Sequence, residues 1–180
     1  MIEFIKNNFK IHFIGNLFVY LHTINQFMNN NDILRRLRYA FDFSDTKMMS
    51  LFESGGIEVS REQISAWMKK DDDPDFQSLH DIKLAVFLNG FINDRRGKKD
   101  GESAKPEKKL NNNIIFRKLR IALNMKEEDI LSVFDLVGMT VSKHEISAFF
   151  RKPEQKQYRE CKDQILRNFI QGLQLKYRQD

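Results

Sequence analysis

Arg35, Arg36 and Arg38 recur 82 positions later as Arg117, Lys118 and Arg120. Both trios belong to segments whose apolar residues fall at helical spacing: Ile33, Leu34, Leu37, Ala40 and Phe41, then Ile115, Phe116, Leu119, Ala122 and Leu123. At about 100° per residue the cations lie away from that apolar stripe. Six cations at repeated positions could grip two stretches of phosphate backbone, each contact releasing condensed counterions. The plainer reading is a solvated helix face whose charges pair with acids such as Asp42, Asp45 and Glu127.

A second set of cations follows. Residues 47–70 and 129–152 each read as helix, glycine turn, helix. If the later helix entered a DNA groove, Arg61, Glu62, Ser65 and Lys69 would meet the nucleic acid in one segment, and Lys143, His144, Ser147 and Arg151 in the other. Two features depart from a compact helix-turn-helix. Ile57-Glu58-Val59 lengthens the turn, and bulky Phe52 or Phe134 stands where close helix crossing needs a small residue. Two helices packed through an ordinary turn is the favoured reading. The nucleic-acid contact set expected from sequence is therefore Arg35, Arg36, Arg38, Arg117, Lys118, Arg120, Lys143 and Arg151.

Other chemistry finds little support. The run Asp71-Asp72-Asp73-Pro74-Asp75 could hold a hard cation, but it lacks the central glycine and distal glutamate of a calcium loop. The matching segment, Pro153-Glu154-Gln155-Lys156-Gln157, could not do the same. His12, His22, His80 and His144 make no ligand pair at helical spacing. The single cysteine, Cys161, has no partner for a disulfide or a metal knuckle, which favours a reducing compartment. No phosphate loop, dinucleotide turn or Ser/His/Asp set is found. No metal or cofactor is expected, and no residue argues for an enzyme.

These residues are positioned by a tandem duplication. Residues 29–96 and 111–178 align without a gap, with 22 of 68 positions identical. NNNDILRRLRYAF lies over NNNIIFRKLRIAL, GIEVSREQISAWMKK over GMTVSKHEISAFFRK, and DIKLAVFLNGF over DQILRNFIQGL. Two such copies must fold alike. Each reads as four helices. The first is expected to open at Asn31 or Asn113 as N-cap, and the second to run over 45–54 and end at Gly56 or Gly138 in the left-handed conformation. The third opens on a capping box, Ser60 with Gln63 or Ser142 with Glu145. Its Ile64, Trp67 and Met68, or Ile146, Phe149 and Phe150, face the core. The fourth spans about 79–94, with Leu84, Phe87, Leu88 and Phe91 matching Leu166, Phe169, Ile170 and Leu173. Between the copies, residues 97–109 hold no large apolar side chain and read as a charged linker.

The net charge of +5 is uneven: +1 over 1–27, −2 over 28–96, +2 over 97–109 and +4 over 110–180. Any anionic partner is thus expected at the second copy first. Residues 1–27 differ from the rest, with five Ile, five Phe and four Asn but no Ala, Pro, Arg or Asp. Lys10, His12, Asn16 and His22 break the apolar run, against a signal peptide or a membrane span. Ile, Phe, Asn and Lys are residue types encoded by A/T-rich codons, and their excess favours an extension translated upstream of a start at Met28, outside the fold.

The motifs NNNDILRRLRYAF, SREQISAWMKK, FLNGF and NNNIIFRKLRIAL resemble the YehS-like family, bacterial proteins of unknown function built from two copies of one helical domain. The resemblance covers about residues 28–178. It implies a cytoplasmic bacterial protein and supplies neither catalytic residues nor a ligand.

The expectation is an all-α protein, a tandem duplication of a four-helix unit packed about a pseudo-twofold axis, with 1–27 outside the fold and 97–109 as linker. Functionally it reads as a cytoplasmic, non-enzymatic binding module contacting nucleic acid. The alternative is a protein–protein adaptor using a duplicated groove or an exposed aromatic such as Tyr158, and an enzyme of unrecognised type comes third. No membrane partner is expected.

Overall fold

The computed structural model describes residues 28–98 and 104–178, and the expectations placed on residues 1–27 lie outside that range. The described residues form eight helices and no strand. The first copy holds α1 (Asn30–Ala40), α2 (Asp45–Ser54), α3 (Arg61–Met68) and α4 (Asp81–Arg96). The second repeats them as α5 (Asn112–Ala122), α6 (Glu127–Asp135), α7 (Lys143–Phe149) and α8 (Asp163–Tyr177).

Local chemistry sets the helix ends. Ser60 Oγ accepts from the Gln63 N–H at 3.3 Å while Gln63 Oε1 accepts from the Ser60 N–H at 2.9 Å. Ser142 and Glu145 repeat this at 3.2 and 3.0 Å, so both predicted boxes satisfy free donors at a helix start. Gly56 and Gly138 take φ of 109° and 68° after α2 and α6, a backbone state that glycine enters without a Cβ clash. The first-helix cap differs from expectation. Asn29 and Asn111 are the N-caps, accepting from Asp32 and Ile114 N–H groups. Asn31 and Asn113 lie inside the helix and are buried.

Those buried asparagines clamp each copy together. Asn31 donates to the carbonyls of Trp67 at 2.9 Å and Gln77 at 2.8 Å, and accepts from Leu79 N–H at 2.9 Å. Asn113 does the same with Phe149, Arg159 and Cys161 at 2.9, 2.8 and 2.9 Å. One amide side chain thus satisfies three backbone groups that the end of the third helix and the following loop would leave unpaired.

The second and fourth helices of each copy cross at glycine. A Cβ on Gly90 would sit 1.7 Å from the Leu51 carbonyl oxygen, and one on Gly172 would sit 2.2 Å from that of Val133. The small residue absent beside Phe52 and Phe134 is supplied instead by the partner helix. Around these crossings the cores repeat: Phe52 packs on Trp67 and Phe87 with ring centroids 5.2 and 5.3 Å apart, and Phe134 packs on Phe169 at 5.7 Å. Met68 and Phe150, expected in the core, lie only half-buried at its edge.

The copies are not independent. α1 packs mainly on α8 and α5 mainly on α4, so the first helix of each copy rests on the fourth helix of the other. The buried residues form one core through both. Two carboxylates fasten the exchange: Asp81 Oδ2 accepts from Leu110 N–H at 2.9 Å, and Asp163 Oδ2 accepts from Met28 N–H at 3.0 Å. Met28 matches Leu110 and Asp81 matches Asp163 at the repeat spacing, the reciprocity that a pseudo-twofold relation between copies requires.

Candidate nucleic-acid interface

The eight cations singled out in the sequence do not form one band. Their surroundings divide them by copy. In the first copy, Arg35 donates to the carbonyl of Lys69 at the end of α3 and pairs with Asp32 at 2.6 Å, with Asp71 at 3.9 Å beyond. Arg38 pairs with Asp45 at 2.6 Å. Lys69 is held between Asp73 at 3.1 Å and Asp75 at 2.6 Å.

The equivalent positions in the second copy read differently. Arg117 donates to the Phe150 carbonyl at 3.0 Å. Arg120 donates to the Met125 carbonyl at 3.2 Å, and its guanidinium lies 4.6 Å from the centroid of the Phe150 ring. Arg151 donates to the Lys156 carbonyl at 3.1 Å and the Gln157 side chain at 2.5 Å. Each partner is neutral. The guanidiniums lie near Phe150, oriented by carbonyls and a ring face; Glu127, the counterpart of Asp45, lines the same concavity as Arg120 and Arg151, but these contacts are not ion pairs.

The remaining cations complete the picture. Arg36 keeps exposed surface, and its guanidinium pKa lies below its ordinary value because burial partly desolvates it and Arg167 of α8 repels it. Its counterpart Lys118 is buried between the copies, bonded to Asn89 and 2.9 Å from Glu107 of the linker. That ammonium fastens linker and interface and faces away from solvent. Lys143 is exposed and bridges loosely to Glu128 at 3.1 Å, both side chains mostly in water.

Beside α7 lies an open concavity of about 600 Å³ lined by His144, Glu145, Arg151, Gln157, Tyr158 and Arg159 among others. Arg159 reaches Glu145 at 3.2 Å. The carboxyl of Glu145 is held below the usual glutamate range, first by the Ser142 N–H and hydroxyl and then by Arg159. Tyr158 is half-buried, and its hydroxyl lies 3.2 Å from Asn113 Oδ1, to which it donates. It is not the exposed aromatic expected of an adaptor surface.

Sequence reasoning did not single out Arg159 or Lys152, and it placed Phe150 in the core. The signal was available, since the Asp-rich loop 71–75 has only Glu154 for an acid in 153–157. It also missed the structural role of Asp81 and Asp163, although an identical polar residue in both copies outside the caps pointed to one.

The described residues hold no group of three His, Cys, Asp or Glu able to bind a metal ion. Burial pushes the Cys161 thiol up to about 12, with Asp163 and Glu160 adding to it, so no thiolate nucleophile forms at neutral pH. No described helix is long and apolar enough to cross a membrane.

Comparison with known proteins accords with this architecture. The chain is 43% identical over 147 residues to a protein of Escherichia coli (strain K12) named "Uncharacterized protein YehS", covering 81% of this chain and 94% of that relative. No solved structure matches it. The DUF1456 family, described as a protein of unknown function, matches twice, over residues 30–97 and 112–179. The chain therefore belongs to the DUF1456 family, as a tandem pair of its all-helical domains.

Proposed function

We propose that this protein is a non-enzymatic binding module whose second copy contacts the phosphate backbone of nucleic acid. One observation carries the reading. At three equivalent positions the first copy neutralises its cation with aspartates, while the second leaves Arg117, Arg120 and Arg151 on neutral partners. A cation already held in place but not neutralised gains most from a phosphate, because its side-chain freedom is already reduced and no ion pair must break. Lys152 follows Arg151 beyond the end of α7 and Lys143 opens that helix at its other end, in a copy whose formal charge is +4.

Contacts of this kind position a backbone without reading bases. Duplexes of unrelated sequence are therefore expected to bind alike. Four phosphate contacts would lower affinity about a hundredfold between roughly 50 and 200 mM salt. Filter binding of labelled duplex at the two salt concentrations tests this, and no retention at the lower one removes the reading.

A further inference from the structure

We infer that the first copy carries the same phosphate site in a closed form, with the carboxylates of Asp73 and Asp75 standing against Lys69 where phosphate oxygens stand in the open copy. The inference rests on the nucleic-acid reading of the second copy and extends it to a second, latent site.

Lys69 and Arg151 are equivalent, as are Asp73 and Gln155, and Asp75 and Gln157. The loops share turn hydrogen bonds, Asp73 N–H donating to the Lys70 carbonyl at 3.0 Å and Gln155 N–H to the Lys152 carbonyl at 2.9 Å, and differ at the last position, where Gln157 but not Asp75 takes a positive φ, 68°. The same turn therefore presents side chains to the same cation, carboxylates in one copy and an amide in the other. Lys69 Nζ receives two anionic oxygens, from Asp73 at 3.1 Å and Asp75 at 2.6 Å. Arg151 receives one amide oxygen and one carbonyl. Two carboxylates converging on one ammonium offer it the anionic acceptor oxygens that a phosphodiester would offer.

The closed state is also fixed electrostatically. The Lys69 ammonium is pushed above its ordinary value, first by Asp75 and then by Asp73. The Asp73 carboxyl is pulled below the usual range by the Asp75 N–H and then by Lys69. Both partners stay ionised across neutral pH, so exchange of the carboxylates for a phosphate brings no net gain in paired charge.

The test is reciprocal exchange in the full chain. Fluorescence anisotropy of a labelled duplex is followed against salt for the unmodified chain, D73Q/D75Q and Q155D/Q157D. D73Q/D75Q installs the amides the second copy already carries, and it should steepen the plot of log affinity against log salt by about one contact's worth, roughly 0.9. Adding K69Q should cancel that gain. Q155D/Q157D should close the second copy and flatten the plot by about the same amount. The control E53Q/E58Q removes two acids elsewhere and should leave the slope unchanged. A gain that survives K69Q, or is matched by E53Q/E58Q, overturns the inference. If the unmodified chain binds nothing, the reading of the second copy fails on its own. D73Q/D75Q then still reports on the first: binding lost with K69Q supports the closed site, and no binding overturns it.

Discussion

Asp163, at the start of the last helix, accepts a hydrogen bond from the backbone N–H of Met28, 135 residues earlier and in the other copy. Its second oxygen accepts from Asn112 at 2.6 Å, and Asp81 makes the matching pair with Leu110 and Asn30. Each aspartate ties its own copy's first helix and the segment that enters the other copy's first helix to one point. Asp81→Ala and Asp163→Ala leave partly buried donors unpaired, a cost of about 2 kcal/mol each. Thermal unfolding should stay a single transition, with the midpoint lowered by roughly 4–8 °C. Two separated transitions in either variant would show that the copies fold independently.

The buried amides should matter more. Asn31→Ala and Asn113→Ala each strand two carbonyls and one N–H, and about 3 kcal/mol of stability should be lost in urea denaturation. Substitution at the exposed cap Asn111 should cost only about 1 kcal/mol. Equal losses at Asn111 and Asn113 would deny the clamp.

Gly90→Ala and Gly172→Ala place a methyl inside contact distance of a carbonyl oxygen on the facing helix. Since backbone must move, each should destabilise by about 3 kcal/mol or more. Retained stability in Gly172→Ala would mean that α6 and α8 do not meet as described.

The two third-helix caps should respond differently to acid. Glu145 is depressed mainly by hydrogen bonds that exist only in the folded chain. Its contribution is complete above the ordinary glutamate pKa and is lost as pH falls through the lower folded value. Gln63, its counterpart, does not titrate. Glu145→Gln should therefore flatten the acid limb of stability against pH, while Gln63→Glu should add to it. An unchanged acid limb in Glu145→Gln contradicts the assignment.

Much of this architecture was legible because short-range chemistry encodes it. Ser60 with Gln63, Gly56 and the apolar spacing of α1 each specify a local conformation whatever surrounds them. The N-cap was misplaced because three successive asparagines are equally good caps, and only the distant carbonyls of Trp67 and Gln77 decide which is buried. The site was harder still. Part of what separates Arg35 from Arg117 is local, since Asp32 three residues before the one is Ile114 before the other; the rest is tertiary, whether the returning loop brings Asp71 or Pro153. The burial of Lys118 follows from the exchange of first helices, which the apolar pattern of a single copy does not reveal.

On the proposed reading, cations of the second copy held by neutral partners grip nucleic acid, while those of the first copy, paired with aspartates, stay silent. The most direct measurement is the salt dependence of duplex binding for Arg120→Gln and Arg151→Gln beside Arg38→Gln and Lys69→Gln. Each of the first pair should reduce the slope of log affinity against log salt by about 0.9, and the second pair should leave it unchanged. Equal slopes for all four variants, or losses confined to the first-copy pair, would contradict the account.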